Sequence, residues 1–227
     1  SDIDEKNLKM TADKCPYYSS IKPLDITNIN QVKNVAKEIK DEFGRLDILI
    51  NAAGINIQNR DWEDIKEDDW DKVFKVNING MFYCCKSALQ IMKEQKDGLI
   101  INISSWAGNH ISYLSGTSYI ASKHAVNAMT ETINMKYCNY GIRACALCPG
   151  EVATAILDKR PKKLTIEQKN KMLQPDDLGE TISFLCQMPK HVCINELTIS
   201  PTWHRRYIAD LGTVSYTHLT LPTMCVV

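Results

Sequence analysis

Tyr119 and Lys123 are the two residues in this sequence whose types and spacing best suit proton transfer. Apolar residues follow them at helical intervals, so the pair is predicted to lie at the start of a helix, where residues four apart share a face. A lysine ammonium beside the phenol would favour phenolate and lower the phenol pKa from about 10. A phenol tuned in this way can act as a general acid and base. Taken alone, the pair is more often an ordinary tyrosine and lysine on a helix surface, so the rest of the chain must decide.

Strand-like and helix-like segments alternate on both sides of this pair. Apolar runs predict parallel strands that are buried on both faces. They lie at residues 46–50, 99–103, 142–148 and 196–199, and a shorter strand candidate precedes them at 21–26. Apolar residues with helical spacing fill the intervals, and one of these helices is predicted to be interrupted or kinked near Asn77. This alternation indicates an α/β fold with a doubly wound parallel sheet, Rossmann-like, in three layers.

Composition excludes several classes of function. The chain has 227 residues, which suits a single α/β domain, and its 27 basic and 27 acidic residues cancel. A neutral chain gives no electrostatic reason to expect nucleic acid or an anionic membrane as a partner. No apolar run approaches the roughly 20 residues of a spanning helix. The polar, acidic start does not resemble a signal peptide, so a cytoplasmic protein is expected.

The nine cysteines do not form the pattern of a disulfide framework, and free, mostly buried thiols are expected. Cys145 and Cys148 form a CxxC pair, but it lies in a predicted strand, where residues three apart face opposite sides of the sheet. The sequence has no second CxxC to complete a zinc site. No metal site is therefore predicted.

Polar residues and glycines follow the predicted strands at their carboxyl ends. These turns contain Asp25, residues 51–54, Ser104 with Ser105, and Pro149 with Gly150. In an open parallel sheet, ligands bind outside the carboxyl ends of the strands. The sequence therefore predicts one ligand site at this edge.

Six short motifs in a fixed order give the chain a specific resemblance over residues 21 to about 200. They are Leu24-Asp25-Ile26-Thr27, Asn51-Ala52-Ala53-Gly54, Val76-Asn77, Ile103-Ser104-Ser105, Tyr119-x-x-x-Lys123 and Pro149-Gly150-Glu151-Val152-Ala153-Thr154. In these residues the chain resembles the short-chain dehydrogenase/reductase family, in its single-domain form. It departs from the family at Ala52, where Asn is commoner, and in the fourteen positions that separate Ser105 from Tyr119, where thirteen is usual.

The resemblance implies an oxidoreductase that moves a hydride between a nicotinamide cofactor and a small carbonyl or alcohol. Tyr119 would be the general acid and base, Lys123 would lower its pKa and bind the nicotinamide ribose, and Ser105 would hold the substrate oxygen. Asn77 would anchor a water molecule that links Lys123 to solvent, or would simply be the residue at a helix kink. Both roles are compatible, since a kink opens a backbone carbonyl to water.

The cofactor implied by the resemblance is NAD or NADP, and the sequence does not show which. Asp25 would lie near the adenine or, equally well, would stabilise a helix N-terminus. The resemblance assigns the other cofactor contacts to two groups: the adenosine ribose would be bordered by Asn51, Ala53 and Gly54, and the nicotinamide by Pro149, Gly150, Val152 and Thr154.

The resemblance also implies a strand, a glycine-rich turn and a helix that cradle pyrophosphate, followed by a second strand. The sequence has no GxxxGxG pattern and begins just short of the family's third strand. In the strand order 3-2-1-4-5-6, the strand at 21–26 would then lack its neighbour, and the strand at 46–50 would expose an apolar edge. We therefore expect a fragment lacking the first strand-helix-strand unit, which binds a dinucleotide poorly or not at all.

Residues 1–210 are predicted to form this one incomplete Rossmann-like domain, and residues 211–227 a non-native or disordered tail. Residues 214–223 resemble a translated cloning adapter, with a natural strand-like tail as the alternative. The alternatives for function are a catalytically inactive fragment and a non-redox member of the superfamily, an epimerase or dehydratase.

The substrate is not readable from the sequence. Trp106, His110 and Tyr113 are candidate pocket walls, although His110 is better explained as a solvent-facing loop residue. A basic cluster at 159–163 is better explained as a solvated surface than as an anion site. The resemblance implies a homodimer or homotetramer for the full-length protein, through the apolar helices over 81–92 and 125–137.

Overall fold

Four parallel strands form the centre of the fold in a computed structural model that describes residues 1–154, 156–157, 164–205 and 207–208. The strands are β1 (Ile48–Asn51), β2 (Gly98–Ile103), β3 (Ile142–Pro149) and β4 (Glu196–Ile199). Each pairs in parallel with the next, giving the order β1-β2-β3-β4. The predicted parallel sheet is confirmed.

Seven α-helices are described. They are α1 (Glu5–Ala12), α2 (Ile29–Phe43), α3 (Glu67–Phe74), α4 (Met81–Gln95), α5 (Thr117–Tyr137), α6 (Ile166–Asn170) and α7 (Pro175–Gln187). A π-helical turn, Lys75–Gly80, joins α3 to α4 where the kink was predicted. Short 3-10 turns occupy Trp106–Gly108, Tyr113–Ser115 and Cys138–Tyr140.

Local sequence accounts for the ends of several helices. The Asn28 side chain accepts hydrogen bonds from the backbone N–H groups of Asn30 and Gln31, which caps the start of α2. Gly44 ends α2 with φ of 74°, in the left-handed region that favours glycine. Asparagine before a helix and glycine after it are signals that depend on local sequence alone.

Alternate residues of the central strands point to opposite faces of the sheet, and each face is covered by helices. Ile100 and Ala144 pack with α4 and α5 in one cluster. Ile101 and Cys145 pack with Leu185 of α7 in the other. The sheet is therefore the middle of three layers, as the near-continuous apolar strands predicted.

The strand predicted at 21–26 does not form, and that prediction is wrong. This stretch makes one isolated parallel bridge, Asp2 with Pro23, and then enters the turn before α2. A strand needs a partner along its length, and the described residues supply only that one bridge. The predicted apolar edge is present, because Ile48 and Ile50 of β1, at the end of the sheet order, are 39% and 42% exposed.

One further helix was not predicted, and the expectation of mostly buried cysteines needs correction. The polar connection over 155–175 contains α6, which Thr165 and Gln168 close with reciprocal side-chain hydrogen bonds. The eight described cysteines are free, but three of them, Cys15, Cys138 and Cys193, are exposed. The basic cluster at 159–163 and the tail at 211–227 lie outside the described residues. Within the described part of the chain, no helix has the length and apolar character needed to cross a bilayer.

Candidate active site

A cavity of about 1310 Å³ opens at the carboxyl edge of the sheet. Residues that follow β1, β2 and β3 line it, as do residues of α5 and the segment after β4. Its wall includes eight of the predicted site residues: Gly54, Ser105, Tyr119, Lys123, Pro149, Gly150, Val152 and Thr154. The polar turns of separate strands thus meet at one place.

Tyr119 and Lys123 lie in the first turns of α5, which begins at Thr117. The Lys123 Nζ is 5.6 Å from the centroid of the Tyr119 ring, so the two side chains lie together as their spacing predicts. Lys123 is 5% exposed, and its Nζ donates a hydrogen bond of 2.8 Å to the Ile103 carbonyl at the end of β2. The ammonium is therefore held between the helix and the sheet.

Burial dominates the electrostatics of Lys123. Removal from water lowers the pKa of its ammonium from 10.5 to about 8. Burial also raises the pKa of the nearby Cys148 thiol, which is therefore neutral at pH 7 and provides no counter-ion. The positive charge at Lys123 is consequently balanced mainly by dipoles such as the Ile103 carbonyl.

Asn77 connects the π-helical turn to the loop after β1. Its amide donates to the Ile55 carbonyl at 2.9 Å and accepts from the Ile55 N–H at 2.8 Å. The same amide nitrogen donates to the Ser122 hydroxyl at 3.1 Å. A Cβ on Gly54 would lie 3.4 Å from the Lys123 Nζ and 3.7 Å from the Asn77 Oδ1, so Gly54 lies directly beside both side chains. Asn77 thus fixes the loop that carries Gly54 beside Lys123.

Ser104 bonds to the backbone of α5, whereas Ser105 lines the cavity. The Ser104 hydroxyl is buried and donates to the Lys123 backbone carbonyl at 3.2 Å. The Ser105 hydroxyl accepts from the Ala107 N–H at 3.1 Å and lines the cavity, half-buried. Ser105 can therefore present its proton to a ligand while its oxygen holds the turn.

Comparisons with known proteins identify the family of the chain. A family model described as short chain dehydrogenase matches residues 2–165. The chain belongs to the short-chain dehydrogenase family. An uncharacterized oxidoreductase of Staphylococcus aureus is 35% identical over 179 residues, which are 79% of this chain and 74% of the relative.

Solved structures similar to this chain have the same α/β fold as the chain itself. ElxO with NADP bound matches with a TM-score of 0.76 at 28% identity, over 87% of this chain and 84% of that one. An alcohol dehydrogenase from the archaeon Thermococcus sibiricus, complexed with 5-hydroxy-NADP, matches with a TM-score of 0.75 at 25% identity, over 88% and 82%.

Three residues predicted to contact the adenosine half of the cofactor do not line the cavity of this dehydrogenase. The Asp25 carboxylate accepts a hydrogen bond of 2.9 Å from the Thr27 N–H, in the turn before α2. The Asn51 amide donates to the Asn102 side chain at 2.8 Å, and Ala53 is exposed. Their role toward a cofactor stays a prediction.

The cavity wall also contains residues to which the motifs assigned no role. Glu151 and Arg205 form a half-buried ion pair on the wall, with Nε to Oε2 at 2.7 Å. Trp106, directly after Ser105, lies on the wall between exposed His110, stacked at 4.1 Å between ring centroids, and His204 at 5.2 Å. Trp106 was a predicted candidate for the pocket wall, whereas His204 and Arg205 carried no signal in the sequence.

Buried Asn56 and Arg60 on the loop after β1 also line the cavity and were not predicted. Ser122, inside the Tyr119–Lys123 motif, was not assigned a role either. It is fully buried, accepts from Asn77 and donates to the Tyr119 carbonyl at 2.8 Å. A polar residue at a position that helical spacing assigns to the buried face was the signal available for Ser122.

Proposed function

We propose that this chain is an NAD- or NADP-dependent oxidoreductase that interconverts a small carbonyl compound and its alcohol, with Tyr119 as general acid and base. The observation that carries the proposal is the contact of Tyr119 with the buried Lys123 on the wall of a cavity that Ser105 also lines. Family membership supports the oxidoreductase class. The nicotinamide cofactor is supported by the ligands named in the two solved relatives, NADP and 5-hydroxy-NADP.

The proposed work of the protein is to hold one oxygen atom and move one proton. The Ser105 hydroxyl donates a hydrogen bond to the substrate oxygen and fixes the carbonyl carbon in the cavity. The Tyr119 phenol gives its proton to that oxygen in reduction and takes it back in oxidation. The Lys123 ammonium lies beside the ring and favours the phenolate that forms when the proton leaves.

The cavity residues fit the nicotinamide half of the cofactor. Gly54 offers backbone without a side chain beside Lys123, and Pro149, Gly150, Val152 and Thr154 form the wall after β3. When bound there, the nicotinamide supplies the hydride in reduction and accepts it in oxidation. Lys123 would hold the ribose hydroxyls of that half.

The proposed oligomeric state rests on exposed apolar side chains of two helices. Phe82 on α4 and Met135 on α5 are large apolar side chains with substantial exposure. They suit a homodimer or homotetramer formed through these two helices, as the resemblance implies.

Replacing Tyr119 with Phe tests the proposed function. With NADH or NADPH and a panel of small aldehydes and ketones, Tyr119→Phe should lower kcat by about 100- to 10,000-fold. Cofactor affinity, measured by nicotinamide fluorescence, should change little. Tyr137→Phe, on the same helix but within the core cluster, is the control and should keep most of the activity.

Unchanged turnover in Tyr119→Phe would exclude the proposed role of the phenol. If the unsubstituted chain binds neither cofactor and reduces no carbonyl, the alternative that the chain is a catalytically inactive fragment would be favoured instead. Measuring cofactor binding and turnover separately distinguishes these two failures.

A further inference from the structure

The loop segment 55–60, which directly follows Gly54, contacts the catalytic helix α5 and the turn before it. Two of its four polar residues, Asn56 and Arg60, are only 8% and 7% exposed, although the segment belongs to no helix or strand. Buried polar side chains in a loop require bonding partners, and those partners show what the loop holds.

At its first residue, the segment is tied to the body of α5. The Asn77 side chain forms hydrogen bonds with both the N–H and the carbonyl of Ile55, and its amide nitrogen also donates to the Ser122 hydroxyl. Ser122 in turn donates to the Tyr119 carbonyl at 2.8 Å. A continuous set of hydrogen bonds therefore runs from the segment to the backbone of Tyr119.

Further along, the segment is tied to the turn that precedes α5. The Asn56 amide donates to the Ser115 carbonyl at 3.0 Å, and the Arg60 guanidinium donates to the Leu114 carbonyl at 3.2 Å. Gly116 follows with φ of 79°, and a Cβ there would lie 2.5 Å from the Arg60 Cβ. The aliphatic stem of Arg60 therefore packs directly on the backbone of Gly116, where only glycine fits.

The turn and the helix start are continuous. The Ile120 N–H donates to the Gly116 carbonyl at 3.1 Å, closing the first helical turn around Tyr119. A shift of the turn at residues 113–116 would therefore shift this helical turn and the phenol with it. The ring would move relative to Lys123 and Ser105, which are held separately by the end of β2.

We propose that Asn56 and Arg60 are positioning residues that set the place of the Tyr119 phenol by fixing the turn before α5. The inference rests on the proposed function, because the position matters only if Tyr119 transfers the proton. It extends that function to two residues outside the Ser-Tyr-Lys constellation.

Arg60 also lines the cavity, so a direct contact with substrate is the competing role. The two roles predict different kinetics. A substrate contact that is lost raises KM, whereas a displaced general acid lowers kcat at unchanged cofactor affinity. They also differ in the free protein, because only the positioning role changes the dynamics of the turn without any ligand.

The decisive variant is Arg60→Met, which keeps an unbranched apolar stem against Gly116 and removes the guanidinium donors. Hydrogen–deuterium exchange in the ligand-free chain should show the Gly116 and Ile120 amides exchanging at least about tenfold faster. With NADPH and a ketone, kcat should fall about 10- to 100-fold, as for an ångström-scale misplacement. Arg60→Lys, which keeps one donor, should recover most of both effects.

Asn56→Ala is the second variant and should give the same pattern if Arg60→Met fails to fold. Arg45→Met, in an exposed ion pair with Asp47, is the matched control and should change neither readout. Unchanged exchange and kcat in both Arg60→Met and Asn56→Ala would overturn the inference. A raised substrate KM with unchanged kcat and exchange would overturn it in favour of a substrate contact.

The proposed function can fail separately. Faster exchange in the variants, combined with full activity in Tyr119→Phe, would show that the segment holds the turn but that the phenol is not the proton donor. Positioning in the sense proposed would then be wrong as well, since nothing catalytic would be positioned.

Discussion

Replacing Lys123 with Met should make the protein more stable at neutral pH while removing its proposed activity. The wild-type protein buries an ammonium whose pKa falls from 10.5 to about 8 on folding. Below about pH 8 both folded and unfolded states carry the charge, and the folded state bears the desolvation cost. Met fills a similar volume and has no charge to desolvate.

The stability difference between the wild type and the Met variant should decrease as the pH rises. As the pH rises above about 8, the folded wild type loses a proton that the unfolded chain retains until about 10.5. The unfolded state then binds more protons, so wild-type stability increases with pH. Between about pH 7 and pH 9.5, the advantage of the Met variant should shrink by about 2 kcal/mol, from about 1.5 pKa units at about 1.4 kcal/mol each.

Urea denaturation of both proteins at several pH values measures this change directly. Terms that do not depend on pH, such as the lost hydrogen bond to Ile103, cancel when the stability differences at two pH values are compared. Lys136→Met, exposed on the same helix, is the control and should differ from wild type by a constant amount. A difference for Lys123→Met that stayed constant, or grew with pH, would refute the description of Lys123 as a buried cation with no ion-pair partner among the described residues.

Two further predictions concern the loop after β1 and the edge of the sheet. Asn77→Ala should lower the free energy of unfolding by about 2–4 kcal/mol in urea denaturation, because the Ile55 N–H and carbonyl lose their buried partner; a loss below about 1 kcal/mol would mean that water replaces the amide. Ile50→Lys should slow self-association in light-scattering measurements with little change in stability, since this side chain is 42% exposed on β1 at the end of the sheet order. If Ile50→Lys aggregated at the wild-type rate, the surface responsible for self-association would lie elsewhere than on β1.

The sequence predicted those parts of the fold whose signals are local. Asn28 and Gly44 mark the ends of α2 because capping depends on one or two side chains and on one backbone angle. The segment at 196–199 was predicted as a strand and forms β4 with the same limits. The irregularity near Asn77 was also predicted, and the structure shows a π-helical turn there.

Parts that depend on distant partners were not predictable. The stretch at 21–26 has the composition of a strand, but a strand forms only with a pairing partner, and among the described residues only Asp2 pairs with it. Asn56 and Arg60 read as ordinary loop residues, because their carbonyl partners at Leu114 and Ser115 lie more than fifty positions away. The cavity was predicted at the carboxyl edge of the sheet, but His204 and Arg205, which enter it from the segment after β4, carried no local signal.

The order of strands in the sheet has a consequence for how the chain acquires its structure during synthesis. Each strand pairs with the one that follows it in sequence, between residues roughly fifty positions apart: Ile48 with Leu99, Leu99 with Arg143, and Ala146 with Glu196. No described strand pairs with a strand from the far end of the sequence. A growing chain can therefore add one strand and its helix at a time to a sheet that already exists, so that the wall carrying Tyr119 and Lys123 can form before β4 leaves the ribosome.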